Sequence, residues 1–150
     1  MSENLMEQSK SWSLMSETYL PVTFNKIMQA NHYTVFILSA NEKQFPIFAA
    51  PTVGEEVQSI LSEKYPARPK THDLIDSIFK GLEINPLQLV FHDFQEDIYF
   101  CKLFLEQLQD EKKSILEIDI RPSDGLIIAL KNNVPIFTSQ GLLDKVPEFM

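Results

Sequence analysis

Three apolar runs, LQLVFHDF, DIYFCKLFLEQL and SILEIDI, follow one another with only short polar stretches between them. Rich in β-branched and aromatic residues, they read as the three strands of a β-meander, with turns near Gln95–Asp97 and Gln109–Lys113. In the last run Leu116, Ile118 and Ile120 point one way and Glu117 and Asp119 the other, since strand side chains alternate between faces. Next comes DGLIIALKNN, a helix apolar nearly all round, which has to be deeply buried. Asn132 or Asn133 is suited to the left-handed conformation at its end. VPIF then reads as a short strand and QGLLDKV as a last turn of helix.

The segment before the meander completes the layers. YLPVTFNKIMQ and YTVFILSA read as an antiparallel pair around a polar turn at Gln29–His32, and QFPIFAA as a third short strand. TVGEEVQSILSEKY places Val57, Ile60 and Leu61 on one helical face, with Glu55 and Glu56 expected in its first turn and a stop before Pro66. THDLIDSIFKGL predicts a second helix with Thr71 as N-cap, Asp73 in the first turn, Lys80 in the last and Gly81 just past the end. Its inward face would be Leu74, Ile75, Ile78 and Phe79. The expected fold class is α+β: a single compact domain with a mixed or antiparallel sheet, a β-meander and several short packed helices.

A chain of 150 residues makes one domain the default. Residues 1–17 are expected to form a polar tail, disordered or loosely docked through Leu5, Met6, Trp12, Leu14 and Met15, and residues 18–150 the domain. No apolar run approaches the ~20 residues that span a bilayer, and the start does not read as a secretory signal. One cysteine, Cys101, excludes an internal disulfide and any multi-cysteine zinc site, and its strand setting suits a buried, inert thiol. A cytoplasmic protein is the simplest expectation. The net charge of −8 opposes broad electrostatic attachment to nucleic acid, so contact with RNA or DNA has to be local or come from an assembled oligomer.

Phosphate loops, dinucleotide fingerprints, metalloprotease helices and nucleophile elbows are all absent. His32 reads as a turn residue, and His92 with Asp93 as a strand end. Two polar constellations remain: ARPKTHDL, with Arg68, Lys70, His72 and Asp73, and IDIRPSD, with Asp119, Arg121, Ser123 and Asp124. Both run arginine, proline, then a hydroxyl and an aspartate opening a helix. Two readings are open. In one, helix N-termini and the cations Arg68, Lys70 and Arg121 hold phosphate, His72 transfers a proton, and Asp73 or Asp124 orients it, activates water or helps hold a divalent cation such as magnesium. In the other, Thr71 and Ser123 are ordinary caps, and the arginines pair with the aspartates to fix the two helix starts.

Taken together, RP-x-THDL, then D-x-RPSD-x-x-x-AL with a P-I-F strand after it, resemble the bifunctional nuclease domain family. The PIF and EEVQSI segments and the IYFCKLFLE strand extend the likeness to roughly residues 19–146. The resemblance implies a compact α+β domain, a homodimer or larger homo-oligomer, and nuclease activity on RNA and DNA. It carries no agreed metal cage. Carried over are Arg68, Pro69, Thr71, His72 and Asp73 from the first motif, and Asp119, Arg121, Pro122, Ser123 and Asp124 from the second. Glu56 matches the acid of the upstream segment. His72, Asp73 and Asp124 are thus the catalytic candidates, Arg68, Lys70, Arg121 and Ser123 the phosphate-binding ones, and Glu56, Thr71 and Asp119 supporting residues. Departures are Gly125 where alanine is usual, Lys70 where an apolar residue is common, and PIFAAPTVG where the family has a tryptophan. The alternative is a non-catalytic, oligomeric binding or regulatory module in which RPKTHD and RPSD are structural.

Overall fold

The computed structural model describes residues 18–148, so the expected tail lies outside the described residues. Its elements are β1 (Tyr19–Pro21), β2 (Thr23–Gln29), β3 (Thr34–Ala40), β4 (Lys43–Ala49), α1 (Pro51–Leu61), α2 (Thr71–Gly81), β5 (Ile84–Gln95), β6 (Ile98–Gln109), β7 (Lys112–Ile120), α3 (Pro122–Asn132), β8 (Ile136–Ser139) and α4 (Gln140–Lys145). They build an α+β fold on two sheets, one of five strands in the order β1-β8-β5-β6-β7 and one of three in the order β2-β3-β4. No helix among the described residues is long and apolar enough to cross a membrane.

The meander forms as expected. Its hairpins close through two-residue turns at Glu96–Asp97 and Asp110–Glu111, and the β3–β4 hairpin does so at Asn41–Glu42. Both residues of each turn have positive φ, between 49° and 66°. That backbone matches the twist of the flanking strands. Apart from Asn41 the residues in these turns are acids, where the geometry favours Asn or Gly.

β8 runs parallel to β5, with Leu89 opposite Ile136, and makes the larger sheet mixed. The stretch YLPVTFNKIMQ, expected as one arm of a hairpin, splits in two. Its first part, β1, pairs with β8, and only β2 pairs with β3. Pro21 lacks an N–H to continue the ladder. Val22 donates the last bond, 2.8 Å to the Ile136 carbonyl, before the chain crosses to the second sheet.

The core lies where one face of the large sheet meets the small sheet and α3. Leu89 and Phe91 of β5 share a cluster with Phe36 and Leu38 of β3, Phe45 and Ile47 of β4, and Leu126 and Ile127 of α3. Each such side chain contributes about 1.5–3 kcal/mol when fully buried. α1 is set on the small sheet by a close approach. A Cβ at Gly54 would lie 2.3 Å from Gln29 Oε1 and 2.4 Å from Thr34 Oγ1. Gln29 Nε2 donates to the Pro51 carbonyl (3.0 Å) and Thr34 Oγ1 to that of Ala50 (3.2 Å), satisfying the chain where the helix begins.

The helices correct several local expectations. α1 starts at Pro51, so Glu55 and Glu56 fall beyond its first turn, and Leu61 faces solvent while Val57 is buried. The cap positions of α2 and α3 fall to Lys70 and Arg121, which leaves Thr71 and Ser123 inside the helices. α2 buries a narrow stripe only. Ile75 and Phe79 pack on Leu103, Leu105 and Ile128, whereas Leu74 and Ile78 are exposed. Gly81 is the last helical residue, and Glu83 takes the left-handed conformation that Gly81 was expected to supply. In α3, Gly125 to Ala129 are buried and Asn133 ends the helix at φ 52°, as the sequence suggested.

Candidate functional site

Three helices each bring one ionisable side chain into a single row centred on His72: Glu56 from α1, His72 from α2 and Asp124 from α3. His72 is the second residue of α2 and Asp124 the third of α3, so packing these helices together brings the two side chains into contact. His72 Nε2 lies 3.0 Å from Asp124 Oδ1. On the other side of the ring, Nδ1 lies 3.5 Å from Glu56 Oε1. The imidazole is therefore bracketed by two carboxylates, and its side chain is only 13% exposed.

Asp124 is the hub. Its second oxygen, Oδ2, accepts a 2.8 Å hydrogen bond from Arg121 Nε. The Arg121 side chain is 81% exposed, and among the described residues its one hydrogen bond runs from Nε to Asp124. One carboxylate thus holds a largely covered imidazole and an exposed cation at once. In the tautomer that donates Nε2–H to Asp124, Nδ1 is unprotonated and has Glu56 beside it.

Asp73 has a different setting. Its carboxylate pairs with Lys131 from the last turn of α3 and accepts a 2.8 Å bond from the Lys70 backbone N–H. Lys131, followed by that N–H, holds the Asp73 carboxyl below its ordinary range. Burial alone would lower Lys131, but Asp73 and then Asp76 outweigh it, so its ammonium is raised. Asp76 lies 3.6 Å from Lys131 and accepts a 3.1 Å bond from Asn132 Nδ2. Among the described residues, no hydrogen bond or ion pair joins Asp73 to His72 or Asp124. Lys131 escaped attention in the sequence, although a lysine in an otherwise apolar helix is itself a signal, because a buried ammonium needs partners.

The remaining candidates are more peripheral. Arg68 and Lys70 are exposed just before α2. Thr71 is exposed and Ser123 half-buried, each one residue before a member of the His72–Asp124 pair. Asp119 is exposed on β7 opposite Lys102, which pairs with Glu117. His92 is lowered by burial and then by Lys102, and its ring rests against Phe100. Cys101 is fully buried, and burial pushes its thiol up.

A divalent cation finds no ready cage. Among the described residues, no three His, Cys, Asp or Glu side chains are grouped to hold a metal ion. Glu56 and Asp124 sit at opposite nitrogens of His72, so the three share no point at which one ion could meet them all.

Fold and site define a class: a small α+β domain whose two RP-led helix starts are joined through a histidine–carboxylate contact. The sequence profile of the bifunctional nuclease domain matches residues 35–150, and the chain belongs to that family. β1 and β2 precede the matched range. The chain is also similar to two uncharacterized proteins of Mycobacterium tuberculosis, Rv1829 of strain H37Rv and MT1877 of strain CDC 1551. Each is 26% identical over 120 residues, which cover 79% of this chain and 69% of the relative.

Proposed function

We propose that this protein hydrolyses phosphodiester bonds in RNA or DNA, with His72 as the proton-transfer group and Arg121 as the first phosphate contact. The observation that carries this reading is the shared carboxylate, since Asp124 orients the imidazole with one oxygen and the exposed guanidinium with the other. A water attacking phosphorus gives its proton to His72 Nδ1, the P–O ester bond breaks, and the departing oxygen is protonated by the imidazolium or by solvent. Asp124 and Glu56 stabilise the imidazolium, and the guanidinium of Arg121 neutralises charge on the phosphoryl oxygens. Arg68, Lys70 and the two helix starts extend the anion-binding surface. Asp73 acts at one remove, by fixing α2 against α3.

Because the chain carries −8 overall, this positive surface is local. Three phosphate contacts to a single strand give a slope of about −2 in log affinity against log salt, far shallower than that of broadly basic nucleic-acid binders. The same reading places the protein in the cytoplasm, where a lone thiol such as Cys101 stays reduced.

A second reading has one observation of its own. Both ring nitrogens of His72 and both oxygens of Asp124 already face protein partners, as a purely structural tie between helices would require. The test is cleavage of single-stranded RNA and DNA by the parent, His72→Ala and Asp124→Asn, with a melting curve for each. The nuclease reading expects a loss of about 10²–10⁴-fold in variants that stay folded. Folded variants that cleave like the parent would leave only the structural tie.

A further inference from the structure

The loop between α1 and α2, residues 62–70, is exposed along its whole length. In it stands Tyr65, 89% exposed and the most open large apolar side chain among the described residues. Other exposed aromatics have company, since Tyr33 and Phe48 rest on each other with ring centroids 5.9 Å apart. Among the described residues, no ring contact, hydrogen bond or ion pair engages the Tyr65 side chain. A lone exposed ring is ordinary, and it is the neighbours of Tyr65 that set it apart.

Those neighbours are cations. The segment KYPARPK holds Lys64, Arg68 and Lys70 and no acid, in a chain with 13 Lys and Arg against 21 Asp and Glu. Elsewhere Lys102, Lys113, Lys131 and Lys145 are each tied to a carboxylate. Among the described residues, none of the three loop cations has a salt-bridge partner. Untied cations beside an open ring match the two parts of a nucleotide, its phosphate and its base.

The loop is also held in shape. At α1 the Glu63 N–H donates to the Ile60 carbonyl (3.1 Å) and the Lys64 N–H to that of Ser59 (2.9 Å), with Glu63 at φ 55°. At α2 Lys70 is extended and its N–H donates to Asp73. Between these anchors Pro66 and Pro69 fix their own φ and bias Tyr65 and Arg68 towards extended backbone. A loop so constrained loses less freedom when a ligand settles on it. The chain from Tyr65 to His72 reaches at most about 25 Å, so the ring stays near the His72–Asp124 contact.

We propose that this loop is the arm on which a single-stranded nucleic acid lies as it enters the site, its phosphates facing Arg68 and Lys70 and one unpaired base stacked on the Tyr65 ring. Bases inside a duplex are already stacked on each other, so the ring favours strands whose bases are open. Every base has a π-face, so the contact tolerates any sequence. This deepens the nuclease reading and rests on it for where the strand leads.

The test is fluorescence anisotropy of the parent, Tyr65→Ala and Tyr65→Phe with three labelled probes: a short strand of thymidines, an abasic strand of the same length, and a closed hairpin duplex. The parent is expected to bind the thymidine strand about ten-fold more tightly than the abasic one. Tyr65→Ala loses that preference without changing affinity for the hairpin, and Tyr65→Phe, which keeps the ring, keeps the preference. A parent that binds neither strand or holds both alike would overturn the proposal. So would a Tyr65→Ala variant that keeps the preference or weakens hairpin binding equally, or a Tyr65→Phe variant that loses the preference. Cleavage is read separately. A parent that shows the ring-dependent preference but leaves RNA and DNA intact would strike the nuclease reading and leave the arm as a binding surface.

Discussion

The starts of α2 and α3 share a plan and end in different states. Each has a basic residue at the cap, Lys70 or Arg121, in extended conformation, and an aspartate at the third helical position. At α2, Asp73 turns back to the Lys70 N–H, the ordinary capping use of such an acid, and takes Lys131 as its cation. At α3, Asp124 bonds to His72 and to the Arg121 side chain instead. The contrast comes from the second helical position and from neighbours. α2 places His72 there and so offers α3 a ring, whereas α3 places Ser123. α3 in turn sends Lys131 from its far end to Asp73. A local motif supplies a carboxylate at a helix start, and the partner helix decides whether it becomes a fastening or a candidate reactive centre.

Breaking the fastening should cost the most stability. Lys131→Ala leaves Asp73 and Asp76, both partly buried, without their cation, and is expected to destabilise by about 2 kcal/mol, between an exposed and a fully buried pair. Urea unfolding measures it, and a change within error of zero would mean that the pair is only a surface contact. Asp73→Asn should cost about 1 kcal/mol and also change the acid limb of stability. The Asp73 carboxyl is lowered on folding, so its contribution is fully present above its unfolded value near 3.8 and is lost as pH falls through the lower folded value. The variant should therefore lose stability less steeply than the parent below about pH 4. An unchanged slope would place the acid sensitivity elsewhere, and Asp93, held to about 2 by Lys145 and the Phe94 N–H, is the next carboxyl to replace. Arg121→Ala tests the other corner. Its exposed ion pair should contribute within about 0.5 kcal/mol to stability, so melting should hardly move while affinity for a single-stranded oligonucleotide falls. A large loss of stability would make Arg121 a fastening like Lys131.

Regular elements were legible in the sequence wherever pattern and burial agreed. The meander, the buried helix and its Asn133 terminus follow from alternation, from an apolar helix with no polar face, and from one residue tolerant of positive φ. What was missed depended on tertiary packing. Leu74 and Ile78 fit an inward face by spacing, yet α2 rests on its support along Ile75 and Phe79 alone. Gly81 looked like a terminator, but Glu83 takes that conformation two residues later. At the site, His72, Asp124 and Arg121 stood out through their motifs, and Glu56 only through the wider resemblance. The sequence left open whether Asp73 or Asp124 orients His72. Adjacent helical residues point in different directions, and here one faces the start of α3 and the other its end.

The most direct test sets the two aspartates against each other. Asp124→Asn and Asp73→Asn are compared with the parent for cleavage of single-stranded RNA and DNA and for melting. Asp124→Asn is expected to remain folded and lose cleavage by about 10²-fold or more, while Asp73→Asn melts earlier and cleaves at the parental rate when held below its transition. If both variants cleave like the parent, or if Asp124→Asn acts only by unfolding the protein, the two corners are alike and Asp124 is a fastening too.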